Sequence, residues 1–346
     1  MAKVIAYGGL KGGIGKTISC LSQAYVASNE FDKKVLVLDS DAQSSASILT
    51  FITPNTYDRR TPNKDITQLL KDVEEMDLSY EEEDLRKSSE IEYEWESVYG
   101  IHTLYDMILS DRYDEIDKDL LDKCIHHPQY YLMQAKKNGT EWVKNNEGKV
   151  VYEKNYYKFG FDIIPSTEEL SDIQFDISRF GDASQRGYLL ELIIRKIEEY
   201  FDYDYIMIDC PPAIDYLTVN AFFAAKSGVI ICASQDKQSL FALSRIKANL
   251  RIITNSRKEH NGALGILLTI YNQKRITDRY ISKTVGYDTK LYVFKQKISE
   301  SSDAKKAVLC GLILPQVNKK NYEENCKLFK ETEKRIAELD ARREAE

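Results

Sequence analysis

Gly8–Thr17 reads GGLKGGIGKT and lies between the apolar run Val4-Ile5-Ala6-Tyr7 and a stretch, Ile18–Asn29, that contains neither proline nor glycine. The apolar run predicts a short buried strand and the second stretch a helix, so the glycines fall between strand and helix. Gly12, Gly13 and Gly15 allow a turn tight enough for successive backbone N–H groups to converge on an anion, and the helix N-terminus adds partial positive charge. The ending G-K-T directs Lys16 to the β and γ phosphates of a nucleotide and the Thr17 hydroxyl to magnesium, with Gly12, Gly13, Ile14, Gly15, Lys16, Thr17 and Ile18 forming the cradle. One residue is surplus to that scheme: Lys11, a second lysine at the front of the loop.

A loop of this kind needs carboxylates to hold magnesium and place water. Val35–Leu38 runs into Asp39-Ser40-Asp41, and Tyr205–Ile208 runs into Asp209-Cys210-Pro211-Pro212. An acidic residue directly after four apolar strand residues sits at the carboxyl edge of a sheet, beside the loop. A lone aspartate there is as readily a turn or cap residue. Joined to the loop, Asp209 reads as a magnesium-directed carboxylate, and Pro211-Pro212 stiffen a segment placed to feel the γ-phosphate.

Further strand-like runs at Phe161–Ile164, Val229–Ala233 and Leu264–Thr269 alternate with helix-length segments. Alternation of this kind predicts an α/β fold with a doubly wound, mostly parallel sheet covered on both faces, and nucleotide at the carboxyl ends of the strands. Residues 53–160 interrupt the alternation. They open with a polar Pro/Asn stretch at 53–63, continue through an acidic block at 72–96 with net charge -10, and predict a hairpin over 140–153 about the turn Asn145-Asn146-Glu147-Gly148. We read 53–160 as an insertion within one domain spanning 1–346. Asn321–Glu346 reads as a C-terminal helix whose stripe of Leu328, Phe329, Ile336 and Leu339 docks on the core.

A net charge of -7 excludes a uniformly basic nucleic-acid binder, yet Leu240–Lys320 carries +11. The six cysteines are scattered without a C-x-x-C pair, which predicts buried thiols in a reducing compartment instead of a disulfide framework or zinc site. His126 and His127 are adjacent, so their side chains diverge and do not suit metal ligation. The apolar stretch Ala221–Ala233 is broken by Lys226 and too short to span a bilayer, and the chain enters its first strand without a signal peptide. The expectation is a cytoplasmic protein with no membrane partner.

KGGIGKT, LDSDAQSSAS, IIPSTEEL, YDYIMIDCPPAIDYLTVNAF and ILLTIYNQKR occur in this order and resemble the motifs of ParA-type partition ATPases. These form the deviant-Walker-A (SIMIBI) group of P-loop proteins, which also includes MinD. The resemblance covers most of 1–50 and 161–315. It implies that Lys11 reaches across an ATP-bound homodimer to the phosphates of the other subunit, so that each loop senses a second chain. It further implies that Asp41 orients the attacking water, that Asp39 and Asp209 join Thr17 at Mg2+, and that Asn272 lies near adenine. The implied function is a slow, nucleotide-switched partition ATPase, associated with the nucleoid and stimulated by a ParB-like centromere-binding protein. Its ATP-bound dimer would hold non-specific DNA through Arg245, Lys247, Arg251, Arg257, Lys258, Lys274, Arg275, Arg279, Lys305 and Lys306. The acidic block would suit a basic tail of the stimulating protein. Ala42 and Ser44 replace the family's usual Pro and Gly, and Gly9-Leu10 precede the signature lysine in place of Asn-Gln. The alternative is a MinD-like ATPase positioning a membrane or protein cargo. It would require a basic amphipathic terminal helix, whereas Glu331, Glu333, Glu338 and Asp340 dilute the one present.

Overall fold

The computed structural model describes residues 1–51, 103–109, 116–138, 141–144, 152–171, 188–309 and 312–345. The polar stretch 53–63, the acidic block 72–96 and the turn at 145–148 lie outside the described residues. In chain order the elements are β1 (Lys3–Gly8), α1 (Lys16–Phe31), β2 (Val35–Asp39), α2 (Ser45–Phe51), α3 (Leu104–Leu109), α4 (Lys118–Cys124), β3 (Gln129–Ala135), β4 (Lys137–Asn138), β5 (Glu141–Trp142), β6 (Tyr152–Lys158) and β7 (Asp162–Ile164). After a 3-10 turn at Glu168–Ser171 follow α5 (Leu189–Tyr200), β8 (Tyr205–Asp209), α6 (Tyr216–Ala224), β9 (Gly228–Ala233), α7 (Lys237–Ser256), β10 (Ala263–Leu268), α8 (Ile276–Thr289), α9 (Asp303–Leu309), α10 (Leu314–Val317) and α11 (Lys319–Ala345).

The six predicted strands assemble into one sheet of order β10-β9-β1-β8-β2-β7, and every pairing in it is parallel. Each strand is apolar on both sides because both faces are covered. Along β1, Val4 and Ala6 enter one core layer with residues of α3 to α7, while Ile5 and Tyr7 enter the other with residues of α1 and α11. The C-terminal helix docks as its stripe predicts: Leu328, Phe329 and Ile336 are buried, and Leu339 packs beside them.

Within residues 53–160, β3 pairs antiparallel with β6, from Gln129 opposite Lys158 to Ala135 opposite Tyr152, and β4 pairs with β5. Thus Glu141–Trp142 faces Lys137–Asn138, and Tyr152 and Glu153 face Ala135 and Gln134. The partners are upstream residues and not the two arms flanking 145–148. A strand needs a partner for its whole row of N–H and C=O groups, and the seven-residue β3 offers β6 a longer ladder.

Candidate functional site

β1 ends between β8 and β9, where the chain's excursions turn from one side of the sheet to the other, and the loop Gly9–Gly15 occupies that switch point. Gly15 caps α1 in the left-handed region, at φ 81°, which a side chain adopts only with strain. At Gly9 the constraint is space: a Cβ would stand 2.5 Å from Ile14 Cδ1 and 2.9 Å from the Cys232 carbonyl oxygen. The Thr269 hydroxyl, at the end of β10, donates to the Ile14 carbonyl at 2.5 Å. Lys16 is only 6% exposed and its Nζ donates to the Lys11 carbonyl at 3.1 Å, so its ammonium is folded into the loop.

The predicted carboxylates meet here because register places them side by side. Asp39 of β2 is opposite Asp209 of β8, which in turn is opposite Tyr7 of β1. Asp39 is fully buried; one oxygen accepts from the Ser47 N–H at 2.9 Å and the Ser47 hydroxyl at 2.7 Å, the other from the Asp41 N–H at 3.2 Å. Burial outweighs these bonds and raises its pKa to about 6. Asp209 is also fully buried, and neither of its oxygens has a hydrogen-bond partner. Burial and the neighbouring Asp39 push it well above the ordinary carboxylate range, against the pull of Thr17 and Lys16. A buried carboxylate without donors is what a cation satisfies. Thr17 and Asp209 therefore fit a divalent ion, with Asp39 held back on α2 by Ser47. Asp41 is nearly buried, accepts from the Gln43 N–H at 3.0 Å, and has its pKa raised by burial.

A cavity of about 610 Å³ opens on the loop. Gly12 to Ser19 and Asp41 line it, as do Pro212, Thr269, Ile298–Ser301, Ala304, Lys305 and Val308. The predicted cradle residues Gly12, Gly13, Ile14, Gly15, Lys16, Thr17 and Ile18 thus share one wall. Asn272 is outside that lining: its amide donates to Glu300 at 2.9 Å, and Glu300 is the residue that faces the cavity. Segment 298–308 has no sequence signal of its own, because it joins the loop only through folding.

Lys11 stands apart. Its side chain is 40% exposed and its Nζ lies 3.0 Å from Asp236 Oδ2. Asp236 is the N-cap of α7, accepting from the Ser239 N–H at 3.0 Å and from the Ser234 hydroxyl at 2.5 Å. Burial opposes it, but these donors and Lys11 hold its carboxyl well below the usual range. Sequence reasoning misses Asp236 as a partner of Lys11; its place three residues before Ser239 signals only a helix cap.

The structure divides the predicted basic residues. Arg245, Arg251, Lys258, Lys274, Arg279 and Lys305 are exposed. Lys247 donates to the Thr289 carbonyl at the end of α8, Arg275 pairs with Glu300 at 2.9 Å, and Arg257 pairs with the buried Glu191 at 2.5 Å. The side chain of Lys306 lies outside the described residues. Among the described residues no helix is long and apolar enough to cross a membrane.

Residues 2–266 match the family model described as an AAA domain. The chromosome partitioning protein ParA of Caulobacter vibrioides is 30% identical over 129 residues, which is 36% of this chain and 46% of that protein. The chain spans about half the length of the curated relatives it matches. Among solved structures, apo McdA of Cyanothece superposes with a TM-score of 0.62 at 16% identity, covering 97% of this chain and 100% of that one. A plasmid partition protein of Borrelia burgdorferi bound to AMPPNP gives 0.54 at 19% identity and 99% of both chains. At these identities the superpositions establish the fold.

Proposed function

The chain belongs to the AAA-domain family AAA_31, as a ParA-type member, and from that premise we propose that it is a slow ATPase serving as the nucleotide switch of a DNA partition system. The observation that carries this reading is the meeting of the G-K-T loop with Asp41 on the wall of one cavity, with the buried Asp39 and Asp209 side by side at the ends of β2 and β8, while Lys11 stays outside it on Asp236. Lys16 and the N–H groups of Gly12–Thr17 bind the phosphates. A Mg2+ ion held by Thr17 and Asp209 neutralises phosphate charge when bound. Asp41 orients water toward the γ-phosphate, its raised pKa suiting it to take up a proton. The nucleoside then lies along Ile298–Ser301.

Lys11 is not committed to its own chain's phosphates. In a homodimer it offsets the phosphate charge of the other subunit, so dimerisation depends on ATP. The dimer binds non-specific DNA through Arg245, Arg251, Lys258, Lys274 and Arg279, all exposed on or beside α7 and α8. A ParB-like centromere-binding protein stimulates hydrolysis and releases it. Sedimentation of the wild type and Lys11→Ala with Mg·ATP, with and without random-sequence duplex, tests the reading. The wild type is expected to dimerise and join DNA only with ATP, and the variant to do neither. ATP binding by the wild type without DNA association would overturn the DNA part and direct the search to a protein cargo.

A further inference from the structure

The segment 292–301 runs along the outer edge of β10. Ile266 N–H donates to the Tyr292 carbonyl at 2.8 Å, Phe294 N–H to Ile266 at 3.0 Å and Ile298 N–H to Leu268 at 3.0 Å. The other edge of this segment has no strand beside it among the described residues, so its N–H groups need other acceptors. α11 supplies them. Glu324, 8% exposed, accepts from the Ser299 N–H at 2.9 Å with one oxygen and from the Ser299 hydroxyl at 2.5 Å with the other. Seven residues on, and so on the same helix face, Glu331 accepts from the Lys295 N–H at 2.7 Å and the Tyr292 hydroxyl at 2.6 Å. Its second oxygen takes the Gln296 N–H at 2.9 Å.

α11 also grips the element that starts at the phosphate loop. The buried Gln23 of α1 donates through Nε2 to the Asn325 carbonyl at 3.0 Å and to Asn325 Oδ1 at 2.8 Å. One helix is therefore bonded to both sides of the cavity: to α1, which begins at Lys16, and to Ile298–Ser301, which line the cavity beyond the loop. Hydrogen bonds to carboxylates are the strong kind, and two bidentate acceptors on one rigid helix hold a backbone segment more closely than apolar contact does.

We propose that Glu324 and Glu331 are positioning residues for nucleotide, and that α11 is a brace setting the Ile298–Ser301 wall at the distance the nucleoside needs. This rests on the reading of the cavity as an ATP site. Phosphate capture by Gly12–Thr17 does not depend on the brace, so the two parts of the ligand respond differently to its loss.

The test titrates full-length wild type, Glu324→Gln, Glu324→Ala, Glu331→Ala and Glu333→Gln with Mg·ATP and, separately, with Mg·pyrophosphate by calorimetry. Melting of each nucleotide-free protein accompanies it. Glu333 lies on the same helix but bonds Tyr205 and Lys3, so its variant reports loss of a helix carboxylate without loss of the brace. Glu324→Ala is expected to weaken ATP about tenfold or more while pyrophosphate stays within about twofold. Glu324→Gln, which keeps one acceptor, falls between wild type and alanine, and it carries the comparison if Glu324→Ala does not fold. Glu331→Ala shows the same selective loss, and Glu333→Gln binds both ligands as wild type does. Equal weakening of ATP and pyrophosphate would reduce the brace to general stability and overturn the proposal. So would unchanged ATP affinity in the glutamate variants beside a wild type that binds. A wild type that binds pyrophosphate but not ATP, or neither, overturns the ATP reading along with the proposal.

Discussion

Asp209 is a carboxyl whose charged form the nucleotide-free fold does not satisfy, since both oxygens are buried and without donors. Its folded pKa lies above the unfolded value, so the proton is bound more tightly in the folded state. The stability linked to that proton is fully present below the unfolded pKa and is lost as pH rises through the folded one. Asp209→Asn, which does not titrate, is therefore expected to melt a few degrees above wild type at about pH 8 in chelator, the gap closing as pH falls toward about 4, the unfolded aspartate value. The same variant is expected to lose magnesium-dependent nucleotide affinity, and melting scans across pH with and without Mg·ATP check both halves. Gly15 makes the complementary case. A Cβ there has room, 3.7 Å from Thr269, but φ is 81°, so Gly15→Ala should cost about 1–2 kcal/mol through backbone strain alone. Urea unfolding without nucleotide measures it. The placement of Lys16, Thr17 and Asp209 at one sheet edge was legible in the sequence because a few adjacent residues set each position. Asp236, Glu324 and Glu331 were not, because their partners lie far along the chain.

Among the elements, α7 joins the loop to the basic surface, since its N-cap Asp236 holds Lys11 and its exposed face carries Arg245 and Arg251. The cap and the ion pair are separable by substitution. Asp236→Ala removes both and should lower stability by about 1 kcal/mol. Asp236→Asn caps equally well but releases Lys11, so its melting point should stay near wild type. Because the pair is about 40% and 35% exposed on its two sides, it is worth at most about 1 kcal/mol. In the proposed ATP-dependent homodimer, Asp236→Asn should strengthen association by no more than about fivefold, read by sedimentation equilibrium. The six sheet strands were legible as apolar runs, and α1 as an uninterrupted stretch between loop and β2. The partners of β3 to β6 were not, because ladder pairing depends on which edge arrives and not on the strand's own residues.

For the molecule as a whole, charge is partitioned, and the fold decides which basic residues are available. Arg257 is 16% exposed, forms an ion pair with Glu191 and lies 4.4 Å from the Tyr188 ring centroid, whereas Arg245, Arg251 and Arg279 are exposed. On the proposed DNA-binding reading, replacing Arg245, Arg251 or Arg279 by alanine should leave melting unchanged and reduce the salt slope of DNA binding by roughly one per contact. Arg257→Ala should instead destabilise the protein toward the lower end of the roughly 3–5 kcal/mol seen when a buried pair is broken, because Arg195 and Lys226 still attend Glu191. Fluorescence anisotropy at several salt concentrations, beside thermal melts, separates the two classes. If Arg257→Ala loses DNA without losing stability, the division drawn from burial is wrong.

By itself the sequence determined the strand–loop–helix phosphate cradle, the carboxylates at the strand ends and the parallel sheet behind them. Each is encoded in contiguous residues by glycine conformation, apolar runs and acidic punctuation. Only the tertiary structure decided that Lys11 rests on Asp236, that Ile298–Ser301 close the cavity under the hold of α11, and that some basic residues bind carboxylates while others face solvent. Those outcomes depend on which surfaces packing brings within a hydrogen bond of each other, and residues more than two hundred positions apart, as Lys11 and Asp236 are, carry no local signal of it.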